Sequence, residues 1–270
     1  MNPSKILLRG PYFPSHDMNR MTSEGDVISA RKTFFSKRFR NLDYLLRQRY
    51  AWMNSYIQDD WTVIELGCGG GFSELYLKRR SIMTDVVENE WVDRTLDATK
   101  MDLSNGSVDC IIASHTIHHF YSPYKFFKEA ERVLKSGGII LIQEINTSLA
   151  MRVLLRLMRH EGWSYKVDLF DEHQIANDPA DIWSANCAIP EILFSQVDNF
   201  EKAFPGLTIE HQKFSEFLIF PLSGGVVSKT KVPELPLWLL ELAAKLDEVI
   251  VRLFPNIFAL GRGIVIRKYV

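Results

Sequence analysis

The residues Thr-Val-Ile-Glu-Leu at 62–66 run directly into Gly67-Cys68-Gly69-Gly70-Gly71. An apolar, β-branched run followed by a glycine cluster reads as a buried strand, a tight turn and a helix start. Glycine accepts positive φ and carries no Cβ, so a ligand can approach such a turn closely. Free N–H groups at the start of the next helix can meet it. Three nucleotide-binding classes use turns of this kind. A phosphate-binding loop ends in Gly-Lys-Ser/Thr, but Gly71-Phe72-Ser73 stands here. A dinucleotide fingerprint puts its third glycine at position 72, and Phe72 there would push helix from strand. What remains is an acidic-x-Gly-x-Gly-x-Gly signature formed by Glu65, Gly67, Gly69 and Gly71.

A second set follows the apolar run at 108–114: His115, His118 and His119. It falls at the carboxyl edge of the predicted sheet, where open α/β folds bind ligands. A neutral imidazole there can take a proton from a hydroxyl, or simply pack and hydrogen-bond beside the ligand. A third set lies in the irregular, aromatic-rich stretch 160–189: His160, Glu161, Trp163, Tyr165, Asp171, His173, Asp178, Asp181, Trp183 and Asn186. Long irregular segments in compact domains are usually functional. His160, Glu161 and His173 are of metal-binding type. No helical i, i+4 spacing supports such a site, so no metal ligand is assigned.

The elements that must position these sets alternate strand and helix from residue 61, which predicts an α/β domain with a parallel sheet. Strands are expected at 62–66, 81–85, 92–97, 108–114 and 139–143, with late strands at 207–213 and 263–268. Helices are expected at 72–79, 123–134, 149–159 and 190–204. Pro123 suits the first turn of its helix. An insertion between the late strands carries a helix over 236–254, where Glu241, Lys245, Glu248 and Arg252 form one narrow polar stripe. The rest of that helix is apolar. Burial on most sides is its expected state, with a dimer interface or a lipid-facing cap as the alternatives.

Beyond the glycines the chain resembles the class I S-adenosylmethionine-dependent methyltransferases, specifically the type 11 group. Asp85 ends the second strand, as the family's ribose-binding acid does. Asp97-Ala98, Met101-Asp102-Leu103 and Ser107-Val108-Asp109 resemble its D-A-x-x-L-P-F stretch and the S-F-D that follows. Residues 113–120, Ala-Ser-His-Thr-Ile-His-His-Phe, resemble its L-H-H-L segment, and 131–138 its R-V-L-K-P-G-G, with Ser136 in place of proline. The resemblance implies S-adenosylmethionine as cofactor, held by Glu65, Gly67, Cys68, Gly69, Gly71, Asp85, Asp97, Ala98 and Ser114. Asp97 would meet the adenine amino group, and Glu88 is a rival to Asp85 for the ribose. Glu65 would either cap the turn or approach the cofactor's amino group. His119 and then His118 are the candidate catalytic bases, and His115 would reach the cofactor through its backbone. The implied fold is Rossmann-like: a mostly parallel seven-stranded sheet with helices on both faces and an antiparallel last strand. Residues 1–60 would be a helical N-terminal extension. Residues 61–270 would be the cofactor-binding domain, with acceptor-side insertions at about 146–205 and 214–260.

Composition narrows the partners. The 270 residues carry 32 Lys+Arg and 33 Asp+Glu, a net charge of −1. That balance lacks the basic excess a nucleic-acid binder needs. The charge is uneven, however. Between Arg31 and Arg49 stand seven basic residues and one acid, interleaved with Phe34, Phe35, Phe39, Leu42, Leu45, Leu46 and Tyr50. Such a helix can close over the cofactor pocket, rest on an anionic membrane or touch nucleic acid. Cys68, Cys110 and Cys187 are too few and too scattered for a disulfide framework and suit a reducing cytoplasm. No apolar leader and no membrane-spanning run is read in the sequence. The expected function is methyl transfer from S-adenosylmethionine to oxygen on a small-molecule, sugar or lipid-linked acceptor. A tRNA-modifying methyltransferase and a non-catalytic cofactor binder are the rivals. Peripheral membrane contact and a homodimer are the further partners that the basic helix and the apolar 236–254 helix would allow.

Overall fold

The apolar runs Val63–Leu66 (β1) and Val108–Ser114 (β4) pair in parallel at the centre of a seven-stranded sheet, in register from Val63 opposite Cys110 to Leu66 opposite Ala113. The structure is a computed structural model that describes residues 10–14, 27–159, 161–226 and 231–269. Ile82–Asp85 (β2) and Arg94–Thr95 (β3) extend the sheet on one side. Leu134–Ile145 (β5), Leu207–Ser215 (β6) and Gly261–Lys268 (β7) extend it on the other. The order is β3-β2-β1-β4-β5-β7-β6, and β7 runs antiparallel to both β5 and β6.

Alternate residues of a strand point to opposite faces. Ile111, Ala113, Ile140 and Ile142 enter one core cluster, while Cys110, Ile112, Ile139 and Leu141 enter the other. Both faces are covered, which is why these strands read as unbroken apolar runs. The first cluster packs under Pro123–Val133 (α3), where Phe126, Phe127 and Ala130 are fully buried. Ser122 caps that helix through the Lys125 N–H, with Pro123 at its first turn. The second cluster packs under Val27–Lys37 (α1) and Arg40–Ala51 (α2) through Phe34, Leu45, Leu46 and Tyr50.

Several expected elements come out shorter. The helix expected at 72–79 is a single 3₁₀ turn, Phe72–Leu75, because the N–H groups of Tyr76 and Leu77 both return to the Ser73 carbonyl. The third strand pairs through two residues only, Arg94 and Thr95. The Asp93 side chain binds the Met83 N–H and blunts that sheet edge. The helix expected over 190–204 breaks at Gln196 into Ile189–Ser195 (α5) and Val197–Ala203 (α6). Leu149–Met158 (α4) forms as expected. The insertion contributes Ile219–Ser223 (α7), Leu237–Leu253 (α8) and Pro255–Phe258 (α9).

The expectation that α8 is buried on most sides fails. Only Leu240, Ala243, Asp247 and Val251 are buried. Asp247 accepts the N–H groups of Phe217, Leu218 and Ile219 and so fastens α8 to the start of α7. Leu237, Trp238, Leu242, Leu246, Val249 and Leu253 are exposed. Among the described residues no helix is long and apolar enough to cross a membrane.

Candidate active site

A cavity of about 1000 Å³ opens above the carboxyl ends of β1, β2 and β4. Glu65, Gly67, Cys68, Gly69, Asp85, Asp97, Ala98, Ser114, His118 and His119 all line it. Of the sequence-predicted site residues, Gly71 does not. Its φ of +64° demands glycine, and a Cβ there would meet Trp91 Cδ1 at 2.7 Å and Arg31 Nη1 at 2.9 Å. Gly71 therefore shapes the turn from behind. Gly69 does the opposite: at φ +50° its missing Cβ meets nothing within 4 Å. A side chain at that position would enter the cavity itself.

The turn is held from several sides. Cys68 donates its N–H to the Thr84 carbonyl at 2.9 Å, and Gly69 donates to Asp85 Oδ2 at 2.9 Å. Asp85 Oδ1 accepts the Val87 N–H at 3.1 Å. A carboxylate has about four acceptor positions, so Asp85 can still receive ligand hydroxyls. Glu88, the rival, is exposed and away from the cavity, while Asn89 lines it. Arg31 of α1 donates to the Gly70 carbonyl at 2.7 Å and to Glu74 at 2.6 Å. Its guanidinium lies over Phe35 and Trp91, 4.2 and 4.7 Å from the ring centroids. Val27 and Ile28 of the same helix line the cavity.

Glu65 is buried beneath the turn. Ser73 donates a short hydrogen bond to Oε2, and the Tyr50 and Ser81 hydroxyls approach at 3.5 and 3.4 Å. Burial pushes its pKa up to about 7. Asp97 accepts the N–H and hydroxyl of Thr99 on Oδ1 at 2.8 and 2.7 Å, fixing the carboxylate at the wall beside Leu96 and Ala98. His115 sits at φ +52°, donates its N–H to Gln143 O, and turns a buried Nε2 that has no hydrogen-bond partner. Burial holds its pKa well below the usual histidine value, so the ring is neutral.

The far end of the cavity is built by the turn Ile117–His119 and the irregular segment after α4. Asn177 Nδ2 donates to the carbonyls of His118 and Phe120, and the Asn186 N–H donates to the His118 carbonyl. Glu161, Asp178, Asp181 and Trp183 line this end. Trp163 is instead in the core, Tyr165 bonds Glu191 and Arg152, Asp171 caps a turn, and His173 is exposed. His160 lies outside the described residues.

His118 is buried, and its Nδ1 lies 2.7 Å from Glu144 Oε2. Glu144 also accepts the N–H groups of Ile117 at 2.7 Å and Ile145 at 3.0 Å. Burial opposes charge on His118, but Glu144 and Glu161 outweigh it and raise the pKa to about 10. His119 is half-buried, with Nδ1 3.3 Å from the Ser184 carbonyl. Burial, then the charge on His118, lowers its pKa to about 4. The arrangement sets a neutral imidazole beside a charged one, both facing Glu161. Sequence reasoning missed Glu144 as a partner altogether. It also missed Arg49, which lines the cavity while paired with Glu216 at 2.7 Å.

The cavity fits an adenosyl sulfonium. The Gly69 cradle gives close backbone approach, and Asp85 and Asp97 offer acceptors for ribose hydroxyls and an adenine amino group. Glu65 offers a carboxylate for a cation. Residues 64–142 match the family model described as a methyltransferase domain. No curated protein matches the chain. Among solved structures, a SAM-dependent methyltransferase from Archaeoglobus fulgidus is 20% identical, with a TM-score of 0.51 over 88% of this chain and 99% of that one. An S-adenosylmethionine-dependent methyltransferase from Mesorhizobium loti is 12% identical, with a TM-score of 0.44 over 82% and 97%. At such identities the likeness is one of fold. The matched segment spans β1 through most of β5, the part of the sheet that carries the glycine turn and both acids. Residues 64–142 thus carry a methyltransferase domain, on a fold like that of S-adenosylmethionine-dependent methyltransferases, and the protein is an enzyme with S-adenosylmethionine as the cofactor that this domain indicates.

Proposed function

We propose that the enzyme methylates a hydroxyl oxygen on an acceptor with a substantial apolar part, a lipid-linked or similarly hydrophobic molecule. The observation that supports this is the far end of the cavity. A polar patch of His118, His119 and Glu161 is set in a wall of Ile145, Met151, Leu155, Met158, Trp183 and Phe220. At about 1000 Å³ the cavity is at the upper limit for a single small ligand, so an acceptor has room beside the nucleoside. A free sugar would leave that wall unmatched. A nucleic acid would face Glu65, Asp85, Asp97, Glu161, Asp178 and Asp181, with Arg49 already paired.

When bound, S-adenosylmethionine supplies a methyl group on a sulfonium that departs as a neutral thioether once an acceptor lone pair has taken the methyl. The chain's own residues position and prepare that acceptor. The apolar wall excludes water and orients the molecule. The His118–His119–Glu161 patch faces the hydroxyl that must lose its proton. The exposed Val153 and Leu157 of α4 lie on the helix whose other side, Met151, Leu155 and Met158, lines the cavity. This supports an enzyme working against a membrane surface.

The test uses labelled S-adenosylmethionine with two acceptor sets, alkyl-tailed phenols and tail-free hexoses. Labelled methyl ethers of the tailed hydroxyls alone are expected. Labelled hexoses, or a product methylated only on nitrogen, would overturn the proposal.

A further inference from the structure

His118, His119 and Glu161 converge from two separate pieces of chain. His118 Nε2 lies 3.6 Å from Glu161 Oε2, and His119 Nε2 lies 3.7 Å from Glu161 Oε1. Both distances exceed hydrogen-bonding range. They are close to the spacing of neighbouring ligands around one ion, with Glu161 facing each imidazole by a different carboxylate oxygen. Bonds of about 2.0–2.2 Å to nitrogen and oxygen put tetrahedral ligand atoms about 3.3–3.6 Å apart. One ligand atom from each of the three residues lies within 4.8 Å of the others.

The rings are also aimed. Glu144 holds His118 by Nδ1 and is itself held by the N–H groups of Ile117 and Ile145. A carboxylate behind a histidine in this way fixes the ring, directs Nε2 outward and raises its basicity as a ligand. The Ser184 carbonyl faces His119 Nδ1 and directs its Nε2 to the same point. All three side chains line the cavity, so the point between them is reached by whatever enters it.

We propose that His118, His119 and Glu161 bind one divalent first-row transition-metal ion, with zinc the best match to two imidazoles and a carboxylate. The ion's open position faces the cavity. Its use rests on the acceptor reading above, although its binding does not. There the ion takes up the acceptor's hydroxyl oxygen and lowers its pKa. The O–H bond breaks, and the proton passes to solvent. The oxygen keeps the electron pair that then forms the new C–O bond, while the C–S pair stays with sulfur.

The test titrates chelator-treated enzyme with Zn²⁺ by calorimetry and with Co²⁺ by visible absorption. A single ion per chain is expected, with the intense Co²⁺ absorption of a tetrahedral site. Glu161→Gln and His119→Ala should each weaken Zn²⁺ binding about 100-fold or more, and Glu144→Gln about 10- to 100-fold. His173→Ala should change nothing. Thermal unfolding of each variant shows that it is folded. No bound ion in the wild type, or affinity indifferent to both Glu161→Gln and His119→Ala, would overturn the proposal. S-adenosylmethionine is titrated into the same samples. Failure of that titration would strike the cofactor reading, while the metal result would stand or fall by itself.

Discussion

Glu65 is a carboxyl group held out of water among three hydroxyls, and burial raises its pKa from 4.5 to about 7. A raised native-state pKa means that the folded chain binds the proton more tightly than the unfolded chain. The resulting stabilisation is fully present below pH 4.5 and is gone once the pH has risen through 7. Its size is on the order of 3 kcal/mol. Glu65→Gln keeps the shape without the titration. Unfolding measured from pH 4 to 8 should show the wild type losing that much relative to the variant as pH rises; a constant difference would contradict the assignment. Gly71→Ala should cost about 1–3 kcal/mol of stability, since its Cβ meets Trp91 and Arg31 at positive φ. A melting temperature equal to wild type would show that the turn yields there. Gly67, Gly69 and His118 were legible because local spacing places them. Glu144 was not, because it meets His118 across 26 positions of sequence, a gap that no local periodicity encodes; Glu161 stood among the candidates, but its approach to His118 was hidden by a gap of the same kind.

Helix α1 lines the cavity with Val27 and Ile28 and holds the glycine turn through one side chain. Arg31 crosses to the Gly70 carbonyl and is sandwiched by Phe35 and Trp91. Removing it should loosen the turn without exposing the core, because Phe34 remains buried. Arg31→Ala should weaken S-adenosylmethionine binding by about 10- to 150-fold, the worth of one charge-assisted hydrogen bond. The exposed Arg47→Ala should leave it unchanged. Equal calorimetric affinities for the two variants would show that Arg31 has no part in cofactor binding. At this scale the central strands were legible because burial on both faces writes continuous apolar runs. The 3₁₀ turn after Gly71 and the break at Gln196 were not, since backbone bonds to Ser73 O and a single non-helical residue decide them. The burial of α8 was misread because its apolar residues ring the helix and do not form one face.

The molecule as a whole shows solvent a long apolar surface on α8, with Trp238, Leu242, Leu246, Val249 and Leu253 exposed and Phe254 and Ile257 of the adjoining turn beside them. Monomers rarely display patches of that extent. If α8 faces a membrane, the enzyme should float with phospholipid vesicles, and the double variant Leu246→Glu, Leu253→Glu should remain in the lower fraction with its unfolding temperature unchanged. Light scattering that shows a dimer abolished by the same variant, with no vesicle binding, would assign the surface to a second copy instead. Cofactor binding rests most on the glycine turn receiving an adenosyl sulfonium in the space left open at Gly69. Calorimetric titration of S-adenosylmethionine into the wild type and Gly69→Ala tests it directly. Binding to the wild type, weakened about 10-fold or more in a variant that still folds, is the expected result. Equal affinity in the two proteins, or binding of a nicotinamide dinucleotide in preference to S-adenosylmethionine, would contradict it.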